Sequence, residues 1–162
     1  MKLIKVAAAV LNQTPLDWQC NTTNIRRAID SARVTGANVL CLPELCITGY
    51  GCEDAFHGAG THRLAWRILK ELLPATRAMI VSLGLPILHQ NGLFNCAALV
   101  ADGRILGFVA KRFLAGDGIH YEPRWFKPWP AGLRNDLLID DESFPIGDLS
   151  FDCGGVKIGK LS

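Results

Sequence analysis

Two carboxylates and one ammonium stand out among the 162 residues for their positions rather than their types. Glu44 closes the stretch "NVLCLPEL", where a strand-like run from Val39 to Leu42 is broken by Pro43 and followed at once by an acid. Lys111 follows the apolar run "ILGFVA" in the same way. Glu122 lies eleven residues beyond the lysine, between Tyr121 and the rings of Trp125 and Phe126. Strand ends are where layered α/β folds gather their sites. A glutamate in a pocket with little water can have its pKa raised toward working pH and act as a general base. A neighbouring ammonium can offset a developing oxyanion and couple to the glutamate's titration. The same residues also fit a bland arrangement, with Glu44 and Lys111 as a structural ion pair and Glu122 as a hydrogen-bonded strut. Spacing leaves both readings open.

The elements that must position these groups are legible as patterns. Residues 3 to 11 are nearly continuous in apolar character, which predicts a buried strand central to a sheet covered on both faces. Ile25, Ala28, Ile29 and Ala32 recur at helical spacing, with Arg26, Arg27, Asp30 and Arg33 opposite and Gly36 as a stop. Strand 38 to 42 completes a strand–helix–strand unit. A Gly-rich loop, 48 to 60, leads to a second helix carrying Leu64, Ile68, Leu69, Leu72 and Leu73, and 78 to 83 reads as a short strand. Asn91-Gly92 and Asp102-Gly103 then suit tight hairpin turns that need positive φ. Residues 112 to 135 form a long aromatic, Pro- and Gly-rich segment, a length that usually signals function. Residues 148 to 160 read as a hairpin around Gly154-Gly155. The sum is an α/β layered domain with a mixed sheet.

Bulk properties bound the function. A chain of this length fits one domain able to bury about 70% of its unfolded surface. Seventeen basic residues against fifteen acidic ones, without a run of either sign, argue against a nucleic-acid partner. No apolar run approaches the roughly 18 residues needed to cross a bilayer. "MKLIKVAAAVLNQ" has no small-residue cleavage site and meets Asn12 and Gln13 at once, so no export signal is read there. A cytoplasmic location with reduced cysteines is expected. Cys41 and Cys96 sit inside apolar runs, where a free thiol behaves as a small hydrophobe. The spacing of Cys41, Cys46 and Cys52 does not make a zinc knuckle, and His57, His62, His89 and His120 are scattered, so no metal is expected. "GGVKIGKLS" nearly spells a phosphate loop, but Leu161 stands at its Ser/Thr position. "GYGCED" lacks the third glycine of a dinucleotide fingerprint.

Three stretches together carry a family resemblance: "CLPELCITGYGCED", "GLPILHQNGLFNCAALVADGRILGFVAK" and "LAGDGIHYEPRWFKPWP". Over about Lys2 to Gly159 the chain resembles the nitrilase, or carbon–nitrogen hydrolase, superfamily. More narrowly, it is similar to the glutamine-hydrolysing N-terminal domains of glutamine-dependent NAD synthetases. The resemblance implies an α-β-β-α sandwich, with residues 1–162 as the N-terminal part of one such domain, incomplete and lacking its C-terminal strands. It implies that Glu44 is the general base, Lys111 the catalytic lysine and Glu122 the second glutamate beside them, either catalytic or structural. Tyr50, Tyr121, Trp125 and Phe126 would shape the substrate pocket or its rim, with buried packing at least as good a reading for the two large rings. Glutamine would be the substrate. Its ammonia would pass to a separate synthetase domain, absent from this chain, that uses ATP and Mg to amidate nicotinic acid adenine dinucleotide. This domain itself needs no cofactor, and a homo-oligomer is implied.

The resemblance also orders the triad as Glu, Lys, Cys, with the cysteine a few residues after a "GVKIG"-like segment, which places it at or just beyond Ser162. Cys52 and Cys153 are poor substitutes. Cys52 lies only eight residues after Glu44 and before Lys111, and Cys153 precedes the Gly-Gly turn. The expectation is therefore a chain inactive alone, with exposed apolar edges that promote self-association. A stand-alone amidase or nitrilase acting on another carboxamide, and a non-catalytic interaction fragment, are the alternatives.

Overall fold

The computed structural model describes residues 3–118, 121–153 and 157–159. Strand β1 (Val6–Ala8), helix α1 (Trp18–Val34) and strand β2 (Val39–Cys41) form the expected parallel unit. Helix α2 (Ala59–Leu72) follows, then β3 (Ile80–His89), β4 (Gly92–Ala101) and β5 (Arg104–Ala110) as an antiparallel meander. The hairpin β6 (Arg134–Ile139) and β7 (Glu142–Gly147) joins through a parallel pairing of β7 with β5. The sheet order is β1-β2-β3-β4-β5-β7-β6. Strands β8 (Ser150–Asp152) and β9 (Lys157–Gly159) pair separately, as the final hairpin predicts, and its Gly154-Gly155 turn lies outside the described residues.

The helices follow their patterns. Asp17 caps α1 by accepting the Cys20 N–H. Ile25, Ile29 and Ala32 are buried, while Arg26, Arg27, Asp30 and Arg33 face outward. The helix ends at Gly36, whose φ of +74° is open to glycine without strain. Ala65, Ile68, Leu69 and Leu72 of α2 share one core with α1 and with Leu40, Val81, Leu83, Leu85, Ala98, Val100 and Phe108 of the sheet. Each such large aliphatic contributes about 1.5–3 kcal/mol on burial.

Several expectations need correction. Strand β1 is neither central nor buried: it is three residues long, lies at the sheet edge and leaves Val6 exposed. Its only neighbour among the described residues is β2, so apolar composition has no second surface to bury against. Cys41, expected to be a buried hydrophobe, is exposed, whereas Cys96 is buried as read. Strand β3 continues past residue 83 through Gly84 and Pro86. Because β2 pairs with β3 only over residues 80–82, a proline at 86 forfeits no ladder bond on that side. The first hairpin turn sits one residue earlier than Asn91-Gly92. His89 pairs with Gly92, and Gln90 and Asn91 take the positive φ values of 45° and 60°. Gly92 is instead a close-approach residue, since a Cβ there would lie 2.9 Å from the Phe94 ring. Asp102 and Gly103 do take positive φ, as read.

Candidate active site

Glu44 is presented by a turn that the backbone would not adopt unaided. After β2, the Leu42 N–H bonds to the Ser82 carbonyl and the Cys46 N–H turns back to Pro43. Leu45 lies at φ 49°, an unfavourable conformation for a branched residue. It is held there by full burial in a second apolar cluster with Cys52, Phe56, Leu93 and Phe126. The turn also presses on β3: a Cβ at Gly84 would lie 2.3 Å from the Leu45 N and 2.8 Å from the Pro43 O. Only glycine leaves room for Glu44 to be placed.

Lys111 extends from β5, with its N–H bonded to the Asn95 carbonyl on β4 at 2.8 Å and its carbonyl receiving the Trp129 N–H. Glu122 opens a 3-10 turn, Glu122–Arg124, anchored through the Ala115 carbonyl and through Phe126 of the second cluster. The side chains converge. Lys111 Nζ lies 2.6 Å from Glu44 Oε1 and 2.9 Å from Glu122 Oε2. Asn95 Nδ2 donates to Glu44 Oε1 and, at 2.9 Å, to Glu122 Oε1. The Ala115 N–H donates to Glu122 Oε2 at 2.6 Å. Three groups from distant parts of the chain thus form one charged cluster of two carboxylates and one ammonium.

Environment separates the two acids. The Glu122 side chain is 1% exposed and that of Glu44 39%. Burial pushes Glu44 up, and the Lys111 contact only partly opposes it. Burial also acts to raise Glu122, but the bonds from Lys111 and the Ala115 N–H outweigh it and hold this carboxyl below its ordinary range. Lys111 is pulled down by burial and more than restored by its two carboxylate bonds, so it stays a cation. Burial, with the Glu122 and Glu44 charges, pushes the half-buried Tyr50 phenol up to about 12, so it remains a neutral hydroxyl beside the cluster. The pattern is an ion pair, Lys111 with Glu122, beside a second carboxyl that burial makes the readier of the two to take a proton.

The aromatic residues divide. Phe126 is core, its ring 4.8 Å from that of Phe56. Trp125 is half-buried and donates to Asp54 Oδ1 at 3.1 Å. Arg124 grips both oxygens of Asp54 at 3.0 Å, so the loop after Glu44 and the turn bearing Glu122 are clamped together. Tyr121 is 54% exposed. Cys52 is buried, donates to the Thr48 and Gly49 carbonyls at 3.3 and 3.2 Å, and is pushed up by burial, the state of an unreactive thiol. Among the described residues, no thiol is hydrogen-bonded to Glu44, Lys111 or Glu122. No His/Cys/Asp/Glu group suited to a metal occurs among them, and no helix is long and apolar enough to cross a membrane.

Asn95 is the site residue that sequence reading misses. Its signal is present in "LFNCAALV", a carboxamide inside a wholly apolar strand, which must find buried partners.

The cluster of two carboxylates and one ammonium thus stands at the strand ends of a mixed α/β fold. Residues 5–161 match the carbon-nitrogen hydrolase family, and the chain belongs to it. Within that family the likeness is to glutamine-dependent NAD(+) synthetases. The chain is 41% identical to that of Arabidopsis thaliana over 131 residues, 80% of this chain and 18% of the relative. It is 38% identical to that of Mus musculus over 157 residues, 90% of this chain and 22% of the relative. The crystal structure of a glutamine-dependent NAD(+) synthetase from Cytophaga hutchinsonii superposes with a TM-score of 0.93 at 42% identity, over 96% of this chain and 27% of that one. An amidase from Nesterenkonia sp. shares the fold at a TM-score of 0.69 and 22% identity, over 88% of this chain and 54% of that one. The chain therefore spans about a fifth of the length of the curated relatives it matches.

Proposed function

We propose that this domain belongs to a glutaminase that releases ammonia for an ATP-dependent synthetase domain, which amidates nicotinic acid adenine dinucleotide to NAD. The observation that carries the reading is the convergence of Glu44 and Lys111, 67 positions apart in the chain, at 2.6 Å. The chemistry needs a cysteine nucleophile, which the family resemblance places at or after Ser162. Glu44 takes the thiol proton as sulfur attacks the carboxamide carbon. Lys111 offsets the oxyanion. Glu44 returns the proton to the leaving nitrogen, so that ammonia departs and a thioester remains. Water then attacks the thioester as Glu44 accepts its proton, and Glu44 passes that proton to the departing sulfur, which frees glutamate and restores the thiol. Glu122 holds Lys111 charged and aimed throughout. Tyr50 and Tyr121 border the pocket, while Trp125 and Phe126 support its wall. The assembly is a homo-oligomer in the cytoplasm.

The test is glutamine binding to this chain, followed by NMR of the Lys111 Nζ and the Glu44 carboxyl, alongside ammonia release. Glutamine is expected to shift both signals, and Glu44→Gln or Lys111→Met to abolish the response, with ammonia at background. Shifts that bypass Glu44 and Lys111 would sink the reading. So would turnover surviving Cys52→Ala with Cys153→Ala.

A further inference from the structure

The two acids share donors. Glu44 Oε1 accepts from both Lys111 Nζ and Asn95 Nδ2. Both oxygens of Glu122 are occupied, Oε1 by Asn95 and Oε2 by Lys111 and the Ala115 N–H. Asn95, like Lys111, touches both carboxylates, and its two amide hydrogens suffice for one bond to each. It is 2% exposed and rigidly held, opposite Pro86 on β3 and with its carbonyl receiving the Lys111 N–H. A carboxamide does not titrate, so this donor stays in place at every pH at which the domain is folded.

We infer that Asn95 is the positioning residue of the acid pair: wedged between Glu44 and Glu122, it keeps both carboxylates ionised side by side. Without it, two carboxylates share a single ammonium. Like charges at that range keep one proton between them and titrate as a unit. The base would then be occupied before a nucleophile could use it. The groups facing Glu44 are Lys111 from the end of β5, Glu122 from its 3-10 turn and Tyr50 from the loop that follows Glu44. Lys111 and Tyr50 keep their protonation states through the acid range, so a change in Glu44 titration reports on Asn95 and Glu122. The inference rests on Glu44 being the base, but it can be read without substrate.

The experiment is an NMR pH titration of the 162-residue chain carrying carbon-13 only in its glutamate carboxyls, with signals assigned through Glu44→Gln and Glu122→Gln. Asn95→Leu removes the donor at similar volume. Glu44 is expected to bind its proton about tenfold more tightly, the loss of one hydrogen bond to a charged group, and the two acids should titrate in separated steps. Asn95→Asp keeps the shape and adds a carboxylate, so it should move Glu44 in the same direction, and it decides the matter if Asn95→Leu does not fold. A folded variant whose Glu44 midpoint shifts less than about twofold overturns the inference. Glutamine binding that persists with an unmoved midpoint would sink the role of Asn95 alone. The expected titration in a chain indifferent to glutamine would sink the glutaminase reading and leave Asn95 in its place.

Discussion

The edge of the sheet at β1 and its middle at β3–β5 are built from similarly apolar sequence, yet they meet opposite fates. In the middle, Val81, Leu83, Leu85, Ala98, Val100 and Phe108 are fully buried, and the ladder between β3 and β4 runs unbroken from Ile80 to His89. At the edge, Val6 is 66% and Val10 98% exposed. A cleft of about 570 Å³ runs between β1 and α1, lined by Ala7 to Leu11, Ala28 and Ala32, and it holds none of the acid–lysine cluster. Composition determines that a segment is able to pack; neighbours on both sides determine whether it does. The acid–lysine cluster stands beside these packed strands, because holding one Nζ within 3 Å of two carboxylates needs walls that do not give.

The sharpest way to break that contrast is Gly84→Val. The Cβ would fall 2.3 Å from the Leu45 N, against backbone rather than a flexible side chain. Either β3 or the Pro43–Leu45 turn must shift, at an expected cost above about 3 kcal/mol by urea denaturation. A variant that keeps parental stability, with the Glu44 and Lys111 signals unmoved, would show that the turn is not wedged by β3.

A second, more moderate effect separates the two acids by pH. Glu122 is held below its unfolded value, so its contribution is complete above the ordinary carboxylate pKa of about 4.3 and is lost as pH falls through the lower folded value. Glu44 is held above its unfolded value. It is neutral in both states at low pH, and its ionisation weakens the fold as pH rises through the unfolded value toward the folded one. Glu122→Gln should therefore flatten the acid-side loss of stability, and Glu44→Gln should steepen it by removing the opposing term. The measurement is the urea midpoint against pH below neutrality. Identical slopes in the two variants would mean that the site does not divide the roles of its acids.

How much of this was legible follows the same division. Glu44, Lys111 and the helical faces of α1 and α2 could be read because strand ends and 3.6-residue periodicity leave marks in short windows. Edge and centre cannot be told apart in "LIKVAAAVL", because the missing information is the identity of the neighbour. The hairpin of β6 and β7 escaped because its turn, Asp140-Asp141 at φ 51° and 64°, carries no glycine to announce it. Gln90-Asn91 was displaced by one residue because Gly92 answers to the Phe94 ring rather than to the turn. Asn95 was passed over inside an apolar run whose very uniformity made it conspicuous. Its partners lie 51 and 27 residues away, and only the folded sheet brings them within reach.

The smallest expected effect lies at the edge. Val10 has almost no contact to lose, and Val6 presents most of its surface to solvent. Val6→Thr with Val10→Ser should leave stability within about 0.5 kcal/mol of the parent. What the pair should change is association. An apolar edge strand offers unpaired backbone groups as well as surface, so the parent chain is expected to self-associate at concentrations where the double variant sediments as a monomer. A parent that is monomeric throughout, or a double variant that associates equally well, would remove β1 as the surface responsible. A large loss of stability would go further and show that β1 is packed after all, which would erase the contrast between the edge and the site-bearing strands.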